Sequence, residues 1–155
     1  MLNEKNLEKF LEEKNIDFEL IEFKESVITS ESAANKTNGI VIKSILLICD
    51  YEPIICILLG KDKIDFEKIK KELNCGDVRL AKAKEVKEIS GYDIGAVPPF
   101  GHKQKIRTII DSKVDSLRED EEIYCGGGSH YHLLKIRKAD LMKAIENAEI
   151  KDITQ

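Results

Sequence analysis

Two apolar runs, IVIKSILLIC at 40–49 and IICILL at 54–59, dominate the hydrophobic pattern, and the turn-forming residues 50–53 separate them. Runs this rich in β-branched residues predict an antiparallel hairpin at the centre of a sheet. In the first run Ile40, Ile42, Ser44, Leu46 and Ile48 share one strand face, and Val41, Lys43, Ile45, Leu47 and Cys49 share the other. Neither run is long enough to cross a bilayer as a helix.

The flanking segments alternate between helical and strand periodicity. Asn3 caps an amphipathic helix carrying Leu7, Phe10, Leu11 and Lys14, whose apolar stripe should dock on the sheet. FELIEF at 18–23 predicts a strand, and Thr29 or Ser30 caps a short helix through Ala33 and Ala34 that ends near Asn38 and Gly39. Asp65 caps a helix with Ile69 and Leu73 inward, closing at 74–76. A short strand at 77–81 and a helix at 82–90 follow, the helix stopped by Gly91. Further strands are expected at 106–111, 121–127 and 130–136, with a polar connection at 113–120 and a C-terminal helix over 140–148. Hairpins and helices interleave without strict βαβ repetition. The fold class expected is α+β: one domain over 1–155, with a mixed, strongly curved, barrel-like sheet flanked by helices.

Composition narrows the function classes. A chain of 155 residues with a formal charge of −4 has no global field for a polyanion, so any nucleic-acid contact must be local. Cys49, Cys56, Cys75 and Cys125 form no CxxC pair, and no secretory segment precedes them. They read as reduced thiols of a cytoplasmic protein, without a membrane partner. His130 and His132 would share a face if 130–136 is a strand, but no acid or cysteine stands at a metal-ligand spacing. No metal or cofactor is expected. GxSxG, Walker-type, GxGxxG and HExxH patterns are absent.

Three features carry candidate chemistry. GYDIGAVPPFGHK at 91–103 holds two of the three prolines, three of the nine glycines and one of the three histidines. Such a segment is neither helix nor central strand, and suits the rigid wall of a pocket. Lys43 is the one formal charge within 40–49. It either snorkels from the core edge into water or stands as a cation at a pocket floor. Glycines at 126–128 before a strand mark a flexible hairpin turn or a close approach of backbone to ligand.

TSESAA at 29–34, IVIKSILL at 40–47, DVRLA at 77–81, GYDIGAVPPFGH at 91–102 and GGG at 126–128, in that order, resemble the YbaK-like aminoacyl-tRNA editing family. That family includes the editing domain of bacterial prolyl-tRNA synthetases and its free-standing relatives. The resemblance implies hydrolysis of the ester of a mischarged tRNA, often tRNA for proline carrying Ala, Cys, Ser or Thr, in the service of translation fidelity. It implies catalytic roles for Lys43, Gly101 and His130, with His132 competing for the last. It also implies substrate contacts from Thr29, Gly95, Pro99, Phe100, His102, Gly127 and Gly128. Backbone amides of the proline loop would stabilise an oxyanion, and no cofactor would be needed. The expected partner is the aminoacyl-tRNA acceptor end, met in trans, with prolyl-tRNA synthetase a further candidate. Lys103, Lys105 and Arg107 offer a small basic patch beside the loop. Gly95-Ala96 and Pro98-Pro99 depart from the paired glycines and the Ser-Pro of many relatives, leaving the removed amino acid open. Two rival readings remain: a non-catalytic module of this fold that binds tRNA ends or a synthetase, and a thiol or metal site built on Cys49, Cys56 and the histidines.

Overall fold

The computed structural model describes residues 1–27 and 29–155, and for Ser30 the backbone alone. In chain order the elements are α1 (Glu4–Glu13), β1 (Glu19–Glu22), α2 (Ser30–Lys36), β2 (Ile40–Cys49), β3 (Glu52–Leu59), α3 (Phe66–Leu73) and β4 (Val78–Leu80). They continue with α4 (Ala83–Ser90), β5 (Arg107–Asp111), α5 (Ser112–Asp115), β6 (Glu122–Gly126), β7 (His132–Arg137), α6 (Lys138–Ala144) and β8 (Glu149–Lys151). The strands form one strongly twisted mixed sheet in the order β1-β7-β6-β2-β3-β5-β8, with β4 paired to β2 beside this path.

The hairpin of β2 and β3 is its spine. A two-residue turn at Asp50 and Tyr51, with φ of 47° and 74°, joins them as in a type I′ turn, whose twist matches paired strands. Register runs from Ile42 opposite Leu59 to Cys49 opposite Glu52. Both faces are covered, which is why the sequence here is continuously apolar rather than alternating. Leu47, Ile54, Cys56 and Leu58 pack with Ile69 of α3. On the other face Leu46, Ile48 and Ile55 meet Val86 of α4, while Ile42 and Ile57 join Leu7 and Leu11 of α1. α1 begins where its sequence signals it: Asn3 accepts from Lys5 N–H, and Asn6 closes the capping box. Thr29 caps α2 by accepting from Ser32 N–H at 3.0 Å. The alternative cap, the Ser30 side chain, lies outside the described atoms.

Four expectations need correction. The polar connection at 113–120 begins with the one-turn helix α5, whose Val114 is fully buried. The C-terminal helix ends at Ala144, and 149–151 instead form β8, parallel to β5. The strand after the glycine triplet starts at His132, so His130 sits in the preceding turn and shares no strand face with it. Cys49 and Cys75 are joined as a disulfide, with Cα atoms 6.0 Å apart, and only Cys56 and Cys125 are free. Asp50 brings the pair together, because its carboxylate accepts from Gly76 and Asp77 N–H at 2.8 and 2.9 Å and so docks the 74–77 turn on the hairpin. A separation of 26 residues carries no recognisable pattern. Among the described residues no helix is long and apolar enough to cross a membrane.

The C-terminal strand is held by a buried acid. Asp111 is fully buried and accepts from Lys113 N–H at 3.1 Å, capping α5, and from Ile153 N–H at 3.0 Å. Asp111→Ala strands a buried N–H, so urea denaturation should show a loss of about 3 kcal/mol, with Asp111→Asn, which keeps one acceptor, losing less. Equal stability of all three proteins would show that this carboxylate does not hold the C-terminus.

Candidate active site

β2 is paired along one edge and interrupted along the other. Towards β3 it is continuous, whereas on the far edge it meets β6 only at Ile40 and Val41 and β4 only at Leu47 to Cys49. Residues 42–46 therefore face a gap. Leu46 C=O accepts from Ala81 N–H at 3.0 Å on this edge, and strand alternation turns the N–H and C=O of Ser44 the same way. The gap is a cavity of about 310 Å³. Residues 41–46 line it from β2. Val27, Ala33 and Leu133, packed together, line it as well, as do Ala81, Val86 and Val97, packed together, with Thr29, Gly95 and Gly126.

Among the described residues Lys43 is the only charged one lining this space. Its Nζ donates to Gly60 C=O at 3.1 Å, leaving two further N–H donors. Burial pushes its pKa below the usual lysine range and nearby Lys63 pushes the same way, while Asp62 opposes them. Lys43 thus lines this space along its stem, while its ammonium is held at the Gly60 carbonyl with Asp62 and Lys63 as its charged neighbours. Ser44, expected on the opposite face, lines the same cavity because the cavity opens at a strand edge and admits side chains from both faces. Its Oγ is buried without a partner among the described residues.

The proline loop stands across the gap and is braced internally. α4 ends on Gly91, whose φ of 89° suits a left-handed cap and whose N–H bonds Lys87 C=O. Tyr92, fully buried, donates its hydroxyl to Gly101 C=O at 3.3 Å. His102 Nε2 lies 2.7 Å from Pro98 C=O. That carbonyl can only accept, so the imidazole donates; burial pushes its pKa down, favouring this neutral form. Gly128 N–H donates to Ala96 C=O at 3.0 Å, and Gly126 packs directly beneath the Val97 carbonyl.

The sequence-predicted residues divide accordingly. Lys43, Thr29 and Gly95 line the cavity. Pro99, Phe100, Gly101 and His102 line a different groove on the α1 side, because Gly101, at φ 70°, turns its Cα onto the Phe10 ring. Gly127 and Gly128 pack against the His132 carbonyl and the start of α1. His130, with an exposed side chain, has Nε2 3.9 Å from Asp93 and accepts at its backbone from Val27 N–H. His132 contacts Ser129 and Glu22. Neither histidine lines the cavity, though neighbours of His130 do. Sequence reasoning missed Ser44, Val86, Val97 and Cys125. Of these only Ser44 had a signal, as the other polar residue of an apolar strand. The Cys125 thiol at the cavity wall and the Cys56 thiol in the core are no nucleophiles: burial pushes the first far up and the second up to about 12.

The family model for the aminoacyl-tRNA editing domain matches residues 24–144. The proline–tRNA ligase of Streptococcus equi subsp. equi (strain 4047) is 29% identical over 115 residues, 74% of this chain and 18% of that protein. That of Streptococcus agalactiae serotype Ia is 32% identical over 76 residues, 49% of this chain and 12% of that protein. The chain thus spans less than a fifth of these curated relatives. Among solved structures, one described as a candidate trans-editing enzyme for prolyl tRNA synthetase has TM-score 0.84 and 25% identity, covering 98% of this chain and 96% of that one. A solved hypothetical protein has TM-score 0.85 and 23% identity, covering 97% and 99%.

The contact between Gly126 and Val97 sets how far the loop stands from β2. A Cβ at 126 would meet Val97 backbone and lie 3.2 Å from Ala96 O, so Gly126→Ala should cost about 1–3 kcal/mol by overpacking. It should also shift the amide resonances of residues 95–97. Unaltered stability and resonances would mean that the loop is not seated on this glycine.

Proposed function

The chain belongs to the aminoacyl-tRNA editing domain family, and on that premise we propose that it hydrolyses the ester of a mischarged tRNA. The carrying observation is the gap in β2: an apolar cavity whose one charged lining residue, among the described residues, is Lys43, with unclaimed polar groups at one strand edge. A small aminoacyl group fills the apolar end, and about 310 Å³ must also admit the ribose, so bulk is rejected sterically. Lys43 Nζ donates to the ribose or its phosphate. Ser44 Oγ–H and N–H stand towards the ester carbonyl.

Hydrolysis then needs little else. Water attacks the carbonyl carbon, the carbonyl electrons move to oxygen, and the strand-edge donors stabilise the oxyanion. Collapse breaks the bond to the ribose oxygen, which leaves with a proton relayed from the water by the neighbouring ribose hydroxyl. Gly95 supplies backbone wall at the reacting centre, and Thr29 closes the end beyond it. Pro99, Phe100, Gly101 and His102 act one step back, as the brace that keeps the loop rigid. Gly127 and Gly128 seat that loop, and His130 meets the substrate at the mouth. The reading extends to a cytoplasmic enzyme acting in trans on tRNA for proline charged with Ala, Cys, Ser or Thr. It is supported by the synthetase relatives and by the similarity to a candidate trans-editing enzyme. Because no carboxylate or histidine lines the cavity among the described residues, a non-catalytic module binding tRNA ends or the synthetase is the second reading.

A deacylation panel separates the two. Ala-, Cys-, Ser- or Thr-charged tRNA for proline should lose its ester while prolyl-tRNA is spared; absence of turnover on all of them would leave the binding module. Lys43→Ala should lower kcat about 10²-fold, the usual cost of removing one electrostatic donor. The active form is the ammonium and its pKa is lowered, so activity above the spontaneous rate should fall as pH rises through a value below the ordinary lysine pKa of about 10.4. Lys43→Arg should remove that alkaline limb.

A further inference from the structure

The groove on the α1 side of the proline loop has no part in the chemistry above. It measures about 610 Å³ and is lined by the lysines at 9, 14, 103 and 105, against Glu13 and Glu146. A chain of net charge −4 thus presents a local excess of positive charge here. Arg107, expected in this patch, is not available: Glu149 takes it at 2.7 Å and Glu52 at 3.4 Å. Lys14 is likewise held by Glu146 at 3.3 Å and lies over the Phe10 ring. Lys9, Lys103 and Lys105 are exposed, and among the described residues none has a carboxylate within ion-pair distance.

From this arrangement we infer that Lys9, Lys103 and Lys105 form a track for the sugar–phosphate backbone of an RNA whose 3′ end enters the Lys43 cavity. The proline loop contributes to both spaces: Val97 lines the cavity and Pro99 the groove, and two residues of chain span at most about 7 Å, so the two lie within a few nucleotides' length of each other. The floor favours backbone over base recognition. Phe10 and Phe100 are stacked on each other at 5.5 Å, and Lys14 covers the Phe10 ring, leaving no open aromatic face for a base. Lysines act here as point charges, giving affinity without sequence preference. The track uses α1, which lies outside the 24–144 family match.

This inference rests on the deacylase reading, but the two fail separately. In the triple variant Lys9→Ala/Lys103→Ala/Lys105→Ala, KM for the charged tRNA should rise about tenfold or more with kcat unchanged. Losing three phosphate contacts should flatten the slope of log K against log salt by about 2–3. Glu13→Lys, which adds charge to the same rim, should tighten binding. Unchanged KM and salt slope with turnover intact would overturn the track. If the wild-type chain deacylates none of the panel, the same variants are read by direct binding of uncharged tRNA, where a flattened slope supports the track and an unchanged slope overturns it. Poly-aspartate competing as well as RNA of equal charge would also overturn it, in favour of an acidic protein partner.

Discussion

Everything in this molecule depends on a central strand that is hydrogen-bonded continuously on one edge and discontinuously on the other. Backbone N–H and C=O groups inside a protein are almost always paired, so an unclaimed stretch in mid-sheet needs water or a ligand to satisfy it. β2 tolerates the gap because its other edge and both faces are secured: β3 runs beside it from Ile42 to Cys49, α3 covers one face, and α1 and α4 cover the other. The mixed topology creates the opening. β6 runs parallel to β2 and β4 antiparallel, so the two approach the same edge from different directions and leave residues 42–46 between them.

Rigidity at the opening comes from many small satisfied contacts rather than from the prolines alone. Gly91 caps α4, the Tyr92 hydroxyl and the His102 imidazole each close on a loop carbonyl, and Gly128 N–H holds Ala96 C=O. Each bond contributes about 1 kcal/mol, yet together they leave the loop no alternative arrangement of comparable satisfaction. A histidine whose Nε2–H is committed to a loop carbonyl is fixed in orientation, as part of the wall.

Much of the fold was legible because it is written in local signals. The caps at Asn3, Thr29 and Asp65, the Gly91 stop and the hairpin of two apolar runs all depend on residues within a turn of one another. What was illegible depends on partners distant in the chain. β8 is three residues long and exists because Asp111 and β5 receive it, and the Cys49–Cys75 pair exists because Asp50 docks a turn 26 residues away. The site was half legible for the same reason. A lone lysine in an apolar strand advertises itself, whereas the direction in which 98–102 turn is decided by Phe10 packing on Gly101, a contact across most of the chain. The strand face expected to be shared by His130 and His132 failed on register: the strand starts at 132, which changes the surroundings each imidazole meets.

The electrostatics of Lys43 tie these observations to function. Removing an ammonium from water is unfavourable, and its lowered pKa reflects that cost. One carbonyl, from Gly60, and the more distant Asp62 offset only part of it. A purely structural lysine would relax outward to full hydration, since its stem is flexible and exposed surface lies nearby. Held where it is, the cation gains most when an electron-rich group arrives beside it. On the proposed reading the free protein carries the unfavourable orientation in advance, and a developing oxyanion or phosphate would meet a charge that need not reorganise. The neighbouring unpartnered Ser44 hydroxyl works in the same sense. Lys43 keeps donors beyond its bond to Gly60 and Ser44 Oγ has no partner among the described residues, so on the proposed reading one ligand at this strand edge engages both.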